Sequence, residues 1–98
     1  MTNLNDIAQQ AHMLAKQRGL PTDVLSTLKH CGGEVVEATE AFTKFNLLGE
    51  KKDFIDLGLE LADIIICALT ASAEENIDIE GALDRAMQKN ARRAYEEH

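Results

Sequence analysis

The sequence predicts an all-α, single-domain fold over residues 1–98, a four-helix up-and-down bundle completed by dimerisation, and three observations carry that expectation. Apolar residues recur at spacings of three and four, with no alternating stretch of strand type. The core palette is aliphatic, because hydrophobic residues make up 45% of the chain while aromatics are 4% and Trp is absent, and such a palette suits packed helices. Gly, Pro, Asn and Asp gather in short clusters that divide the 98 residues into four amphipathic segments. A chain this short buries a modest fraction of its unfolded surface, so a second copy is expected to cover part of the rest.

The first helix is predicted from about Leu4 to Arg18, with Ile7, Ala8, Ala11, Leu14 and Ala15 on one stripe. Gly19 supplies a left-handed stop, and Pro21, the only proline, fixes the turn. Thr22 reads as the N-cap of a long second helix through Val24, Leu25, Leu28, Val35, Val36, Ala38 and Phe42 to about Asn46. Gly32 and Gly33 fall inside it, each at a cost of about 0.5–1 kcal/mol relative to Ala, so the pair implies a close helix contact or a kink. After Leu48-Gly49-Glu50 a third helix runs from about Lys52 to Glu75, with Asn76 as its C-terminal cap. Asp78 caps the fourth, whose inward stripe is Ile79, Leu83, Ala86, Met87, Ala91 and Ala94.

Ten basic against seventeen acidic residues leave a net charge of −7. A nucleic-acid backbone is repelled by such a chain, and any polyanionic ligand needs a bound cation between itself and the acids. No apolar run reaches the length that spans a bilayer, and residues 1–20 lack the basic start and apolar block of a signal peptide, so the expectation is a cytoplasmic protein without a membrane partner. Cys31 and Cys67 show no Cys-x-x-Cys spacing and read as reduced thiols used as small apolar residues.

The chemistry lies in the acids. Of the thirteen residues from Leu57 to Leu69 ten are apolar, yet Glu60 and Asp63 sit among them. A helix so apolar is expected to be largely buried, and a buried carboxylate must be protonated, hydrogen-bonded or bound to a metal. Glu34 and Glu37 have similar surroundings in Val35, Val36, Ala38, Ala41 and Phe42. Acids three apart project from one side of a helix, roughly 5–6 Å from each other. The chain holds six such pairs where about three arise by chance, so spacing alone is weak and the apolar context separates these two pairs from the rest. On facing antiparallel helices they would converge four carboxylates, an all-oxygen set suited to Mg²⁺, with Mn²⁺ as a substitute. The alternative is that one pair is solvated and the other neutralised by Lys44, Lys51 or Lys52. A carboxylate-bridged iron site fits poorly, because none of His12, His30 or His98 has a Glu three residues before it. His30, one turn before Glu34, reads as a polar neighbour or substrate contact, and Asp53 and Asp56 as N-terminal dipole chemistry.

Glu34-Val-Val-Glu37, twenty-two residues, then Glu60-Leu-Ala-Asp63 and a later Lys89-Asn90-x-x-Arg93 resemble the signature of the MazG-like all-α nucleoside triphosphate pyrophosphohydrolases. The resemblance spans roughly Leu25 to Tyr95. It departs from many relatives at Gly33, where they carry a Glu, at Ala86, where they carry a Lys, and after Tyr95, where Glu96-Glu97-His98 stands.

The resemblance implies Glu34, Glu37, Glu60 and Asp63 as metal ligands and catalytic carboxylates around Mg²⁺, a nucleoside triphosphate as substrate, and water attack at the α-phosphorus to give a monophosphate and pyrophosphate. Asn90 falls between Met87 and Ala94 on the apolar stripe and is expected to point inward. The family implies the nucleotide as its partner, with Lys89 and Arg93 as phosphate ligands, although cations in a last turn also complement the helix dipole. Tyr95 stacks on a base or packs in the core. The family also implies a homodimer or a dimer of dimers. Two competing readings stand beside this one: a non-catalytic helical interaction module, and a related pyrophosphohydrolase of a phosphoribosyl-nucleotide.

Overall fold

Helix boundaries follow the capping chemistry of the chain, and the computed structural model, which describes residues 3–97, has four helices and among those residues no strand. They are α1 (Leu4–Gln17), α2 (Val24–Leu48), α3 (Lys51–Glu74) and α4 (Ile79–Glu96). The Asn3 side chain accepts from the Asp6 N–H at 2.9 Å to open α1. Gly19 (φ 72°) and Gly49 (φ 64°) take the left-handed backbone that ends α1 and α2. Asn76 does the same after α3, at φ 53°. The expected cap of α2 needs correction: Asp23, not Thr22, is the N-cap, and its carboxylate accepts from the Ser26 N–H at 3.0 Å. Thr22 is instead buried, and it helps hold the Glu74 carboxyl of α3 below the usual range. α2 also continues two residues past Asn46, to Leu48.

α2 and α3 form an antiparallel hairpin along one seam. On α2 the residues withdrawn from solvent after the first turn are Thr27, Cys31, Glu34, Ala38, Ala41 and Phe45; on α3 the matching series is Asp53, Leu57, Glu60, Ile64, Cys67, Ala71 and Glu74. Steps alternate between three and four, the spacing that keeps a narrow stripe facing a nearly antiparallel neighbour. Contacts across the seam set its register. Phe45 and Phe54 rings lie 5.6 Å apart, Lys44 Nζ is 4.0 Å from Asp53 Oδ1, Glu37 reaches Glu60, and Cys31 reaches Cys67.

The second interface joins α1 to the other side of α3. Ala8, Leu69 and Ala73 form a buried cluster, with Leu4, Ala11 and Ile79 packed around it. His12 pairs with Glu74 across this junction. α4 is tied to α1 at its first turn. Asp78 Oδ1 accepts from Gly81 N at 3.0 Å and from Asn5 Nδ2 at 2.9 Å, while Asn5 Oδ1 accepts from Ile79 N at 2.9 Å and Glu80 Oε1 from Leu4 N at 3.1 Å.

Two burial expectations are corrected. α3 is buried along its seams only, with Leu59, Ile65 and Ile66 open to solvent, because its apolar residues surround the helix whereas neighbours cover two sides. No residue of α4 is buried, and its supposed inward stripe is exposed, Leu83 to 50% and Met87 to 62%. The radius of gyration, 15.8 Å, exceeds the roughly 12.6 Å expected for a compact chain of this length. Gly32 and Gly33 meet nothing in the chain within contact range of a Cβ, and α2 runs through them as one continuous helix. Among the described residues no helix is long and apolar enough to cross a membrane.

Candidate metal centre

Glu34 and Glu60 stand at seam positions of α2 and α3, and Glu37 flanks the same seam one turn from Glu34. Carboxylate oxygens of all three lie within 4.8 Å of one another. Small Ala38 and Ala41 on α2 leave space for this convergence between the helices. Glu34 and Glu60 are half-buried and Glu37 is exposed. Oε2 of Glu34 and Oε2 of Glu60 are shut away from solvent with no hydrogen-bond partner. Orphaned acceptors in a desolvated cluster of like charge are costly without a proton or a cation to share. Desolvation, then the charges of Glu37 and Glu34, push the Glu60 carboxyl up to about 7.

The donor set fits a hard dication. Oxygens around Mg²⁺ sit near 2.1 Å from the ion, so neighbouring ligands end about 3–4 Å apart, and a group already within 4.8 Å needs a small closure to share one ion. Asp63 is exposed and stands outside this group. The reason is geometric: the seam step from Glu60 leads to Ile64, which turns Asp63 to the flank. His30 Nε2 lies 3.1 Å from Glu34 Oε1, at the solvent rim.

Lys89, Asn90 and Arg93 are all exposed on α4. The inward orientation expected of Asn90 is therefore corrected, and the principal contact of α4 is α1 rather than the helices that carry the acids. Tyr95 is likewise exposed. Grooves of ≈ 370 Å³ along Thr39–Leu48 and ≈ 260 Å³ between Asn5 and Asp78 lie away from the three glutamates.

Three features lay outside the reading of the sequence. Asp53 is the most secluded side chain among the described residues, 1% exposed, with neither carboxylate oxygen hydrogen-bonded and Lys44 Nζ 4.0 Å away. Cys31 and Cys67, both reduced, meet one turn from Glu34. Burial pushes the Cys67 thiol up to about 11, with Cys31, Glu34 and Asp63 adding to the rise. Glu74 binds His12 and Thr22, which hold its carboxyl below the usual range. The three-and-four spacing puts the first two on apolar stripes, and the register of α2 against α3 decides what they meet.

No family model, no curated protein and no solved structure matches the chain at a significant level.

Proposed function

We propose that the protein is a Mg²⁺-dependent nucleoside triphosphate pyrophosphohydrolase of the MazG-like type, acting in the cytoplasm on (deoxy)nucleoside triphosphates to release a monophosphate and pyrophosphate. The observation that carries the proposal is the meeting of Glu34, Glu37 and Glu60 from two helices, with two of their oxygens buried and unpartnered. A site that holds a cation for a triphosphate requires such a cluster. With a net charge of −7, the chain attracts a polyanion only through that cation.

Mg²⁺ (or Mn²⁺) bound there supplies neutralising charge for the triphosphate and for the transition state. The chain's own groups do the remaining work. Glu34, Glu37 and Glu60 would hold the ion, Asp63 on the flank would complete the set only by turning toward it, and one of these carboxylates would orient or deprotonate the attacking water. The Glu60 carboxyl, pushed up to about 7, would release its proton on binding a cation. His30, beside Glu34 at the rim, contacts the substrate. Lys89 and Arg93 bind phosphate oxygens, and the amide of Asn90 binds the nucleotide.

These α4 residues come from a second copy in this account, because α4 packs on α1 in its own chain. Surface area supports the assembly. The chain exposes 7338 Å² where a compact monomer of its mass exposes about 5,500 Å², and the excess is of the order that a stable dimer removes per subunit. A homodimer, or a dimer of dimers, covers the α4 stripe and the outer faces of α2 and α3.

The test is a panel of ribo- and deoxyribonucleoside triphosphates assayed for Mg²⁺-dependent pyrophosphate release, with Glu60→Gln alongside. Pyrophosphate from the native protein and at least a hundredfold loss in the variant are expected. Release of inorganic phosphate rejects the reaction, and undiminished turnover in Glu60→Gln rejects the site.

A further inference from the structure

We infer that Cys31 and Cys67 form a dithiol oxidation site, which a small-molecule disulfide converts to an intrachain disulfide across the α2–α3 seam. The inference stands on the packing register and is independent of the cation reading. Seam residues on α2 pass from Thr27 through Cys31 to Glu34, and on α3 from Glu60 through Ile64 and Cys67 to Ala71, so the two cysteines occupy one level of the interface. The Lys44–Asp53, Phe45–Phe54 and Glu37–Glu60 contacts fix that level from the other end of the hairpin. Both thiols are free, and Cys31 is among the neighbours that push the Cys67 thiol up.

Neighbouring side chains favour closure. A disulfide draws its Cα atoms to about 4.4–6.8 Å, closer than most facing helix positions, and so needs small residues nearby. Ala71 lies one turn from Cys67 on the same seam, and Ala38 two turns from Cys31. Exposure sets the order of events, since Cys31 is half-buried and Cys67 buried.

The Cys31 thiolate attacks one sulfur of the oxidant X–S–S–X. The oxidant's S–S bond breaks, a Cys31–S–S–X bond forms, and X–S⁻ leaves and takes a proton. Cys67 then loses its proton to solvent, and its sulfur attacks Cys31 Sγ, forming the Cys31–Cys67 bond and expelling the second X–S⁻. In sum the two protein thiols are oxidised and one X–S–S–X is reduced to two X–SH. The closed bond spans the layer next to Glu34 and fixes the separation of the two helices there.

The experiment treats the full chain with bis(2-hydroxyethyl) disulfide and follows intact mass, peptide mapping without reductant, and thermal unfolding. The expected product is monomeric in covalent mass, has lost two hydrogens, yields a Cys31–Cys67 linked peptide, and melts at least about 5 °C higher until dithiothreitol reverses the change. Cys67→Ser is expected to stop at a stable adduct on Cys31, which tests the order of attack without requiring a closed bond. A native chain that stops at the Cys31 adduct, or that cross-links to a second chain instead, overturns the inference.

Discussion

Glu60 provides the sharpest perturbation. Its carboxyl titrates near 7 in the folded protein, against an ordinary value of 4.5, because it is desolvated and faces Glu37 and Glu34. Between those values the folded chain holds a proton that the unfolded chain has released. Stability contributed by this group is therefore fully present below about pH 4.5 and is lost as pH rises through about 7. At pH 6 the occupancy is about 0.9 in the folded state and about 0.03 in the unfolded state, so close to one proton separates them. Glu60→Gln keeps the shape and removes the titration. Thermal unfolding of both proteins from about pH 5 to 8 is expected to show a melting-temperature difference that grows in favour of the variant up to neutrality and then levels off. On the proposed cation site Mg²⁺ would compete with the proton, so carboxyl NMR is expected to show the Glu60 midpoint falling as Mg²⁺ is added. A midpoint in the ordinary carboxylate range, or a variant whose melting curve tracks the native one at every pH, refutes the reasoning.

Further outcomes follow from burial and capping. Leu69→Ala empties part of the α1–α3 cluster, where Leu69 is buried against Ala8 and Ala73, and is expected to cost about 2–4 kcal/mol in denaturant unfolding. Asp78→Ala removes the cap on α4 and the acceptor for Asn5; amide exchange in the first turn of α4 is expected to accelerate, with a loss of about 1 kcal/mol. Asp53→Leu replaces a secluded carboxylate that lacks hydrogen bonds, while Lys44 stays solvated. That variant is expected to gain about 1–3 kcal/mol in chemical denaturation, and a loss would show that Lys44 and the helix N-terminus already compensate the charge.

Much of the fold was legible because helix ends are decided locally. Asp78, Gly19, Gly49 and Asn76 each act within a turn of their own position, and their roles could be read one residue at a time. Thr22 and Asp23 are both competent caps; Thr22 is buried, with Glu74 of α3 beside it, and Asp23 takes the cap. Of the four acids expected to converge from their apolar context, Glu34, Glu37 and Glu60 do, while Asp63 lies outside the group because the helical step from Glu60 that follows the seam leads to Ile64. The burial of Asp53 and the meeting of Cys31 with Cys67 were not legible, since both depend on the register of α2 against α3. Amphipathicity gave α4 its stripe but not its neighbour, so Asn90 was expected inward and lies outward.

The central claim is that carboxylates from α2 and α3 share one hard cation. Crystals grown with Mn²⁺ and measured for anomalous scattering test it most directly. One peak about 2.2 Å from oxygens of Glu34, Glu37 and Glu60 is the predicted result. Manganese absent from the seam, with the three glutamates turned apart toward solvent, would contradict it.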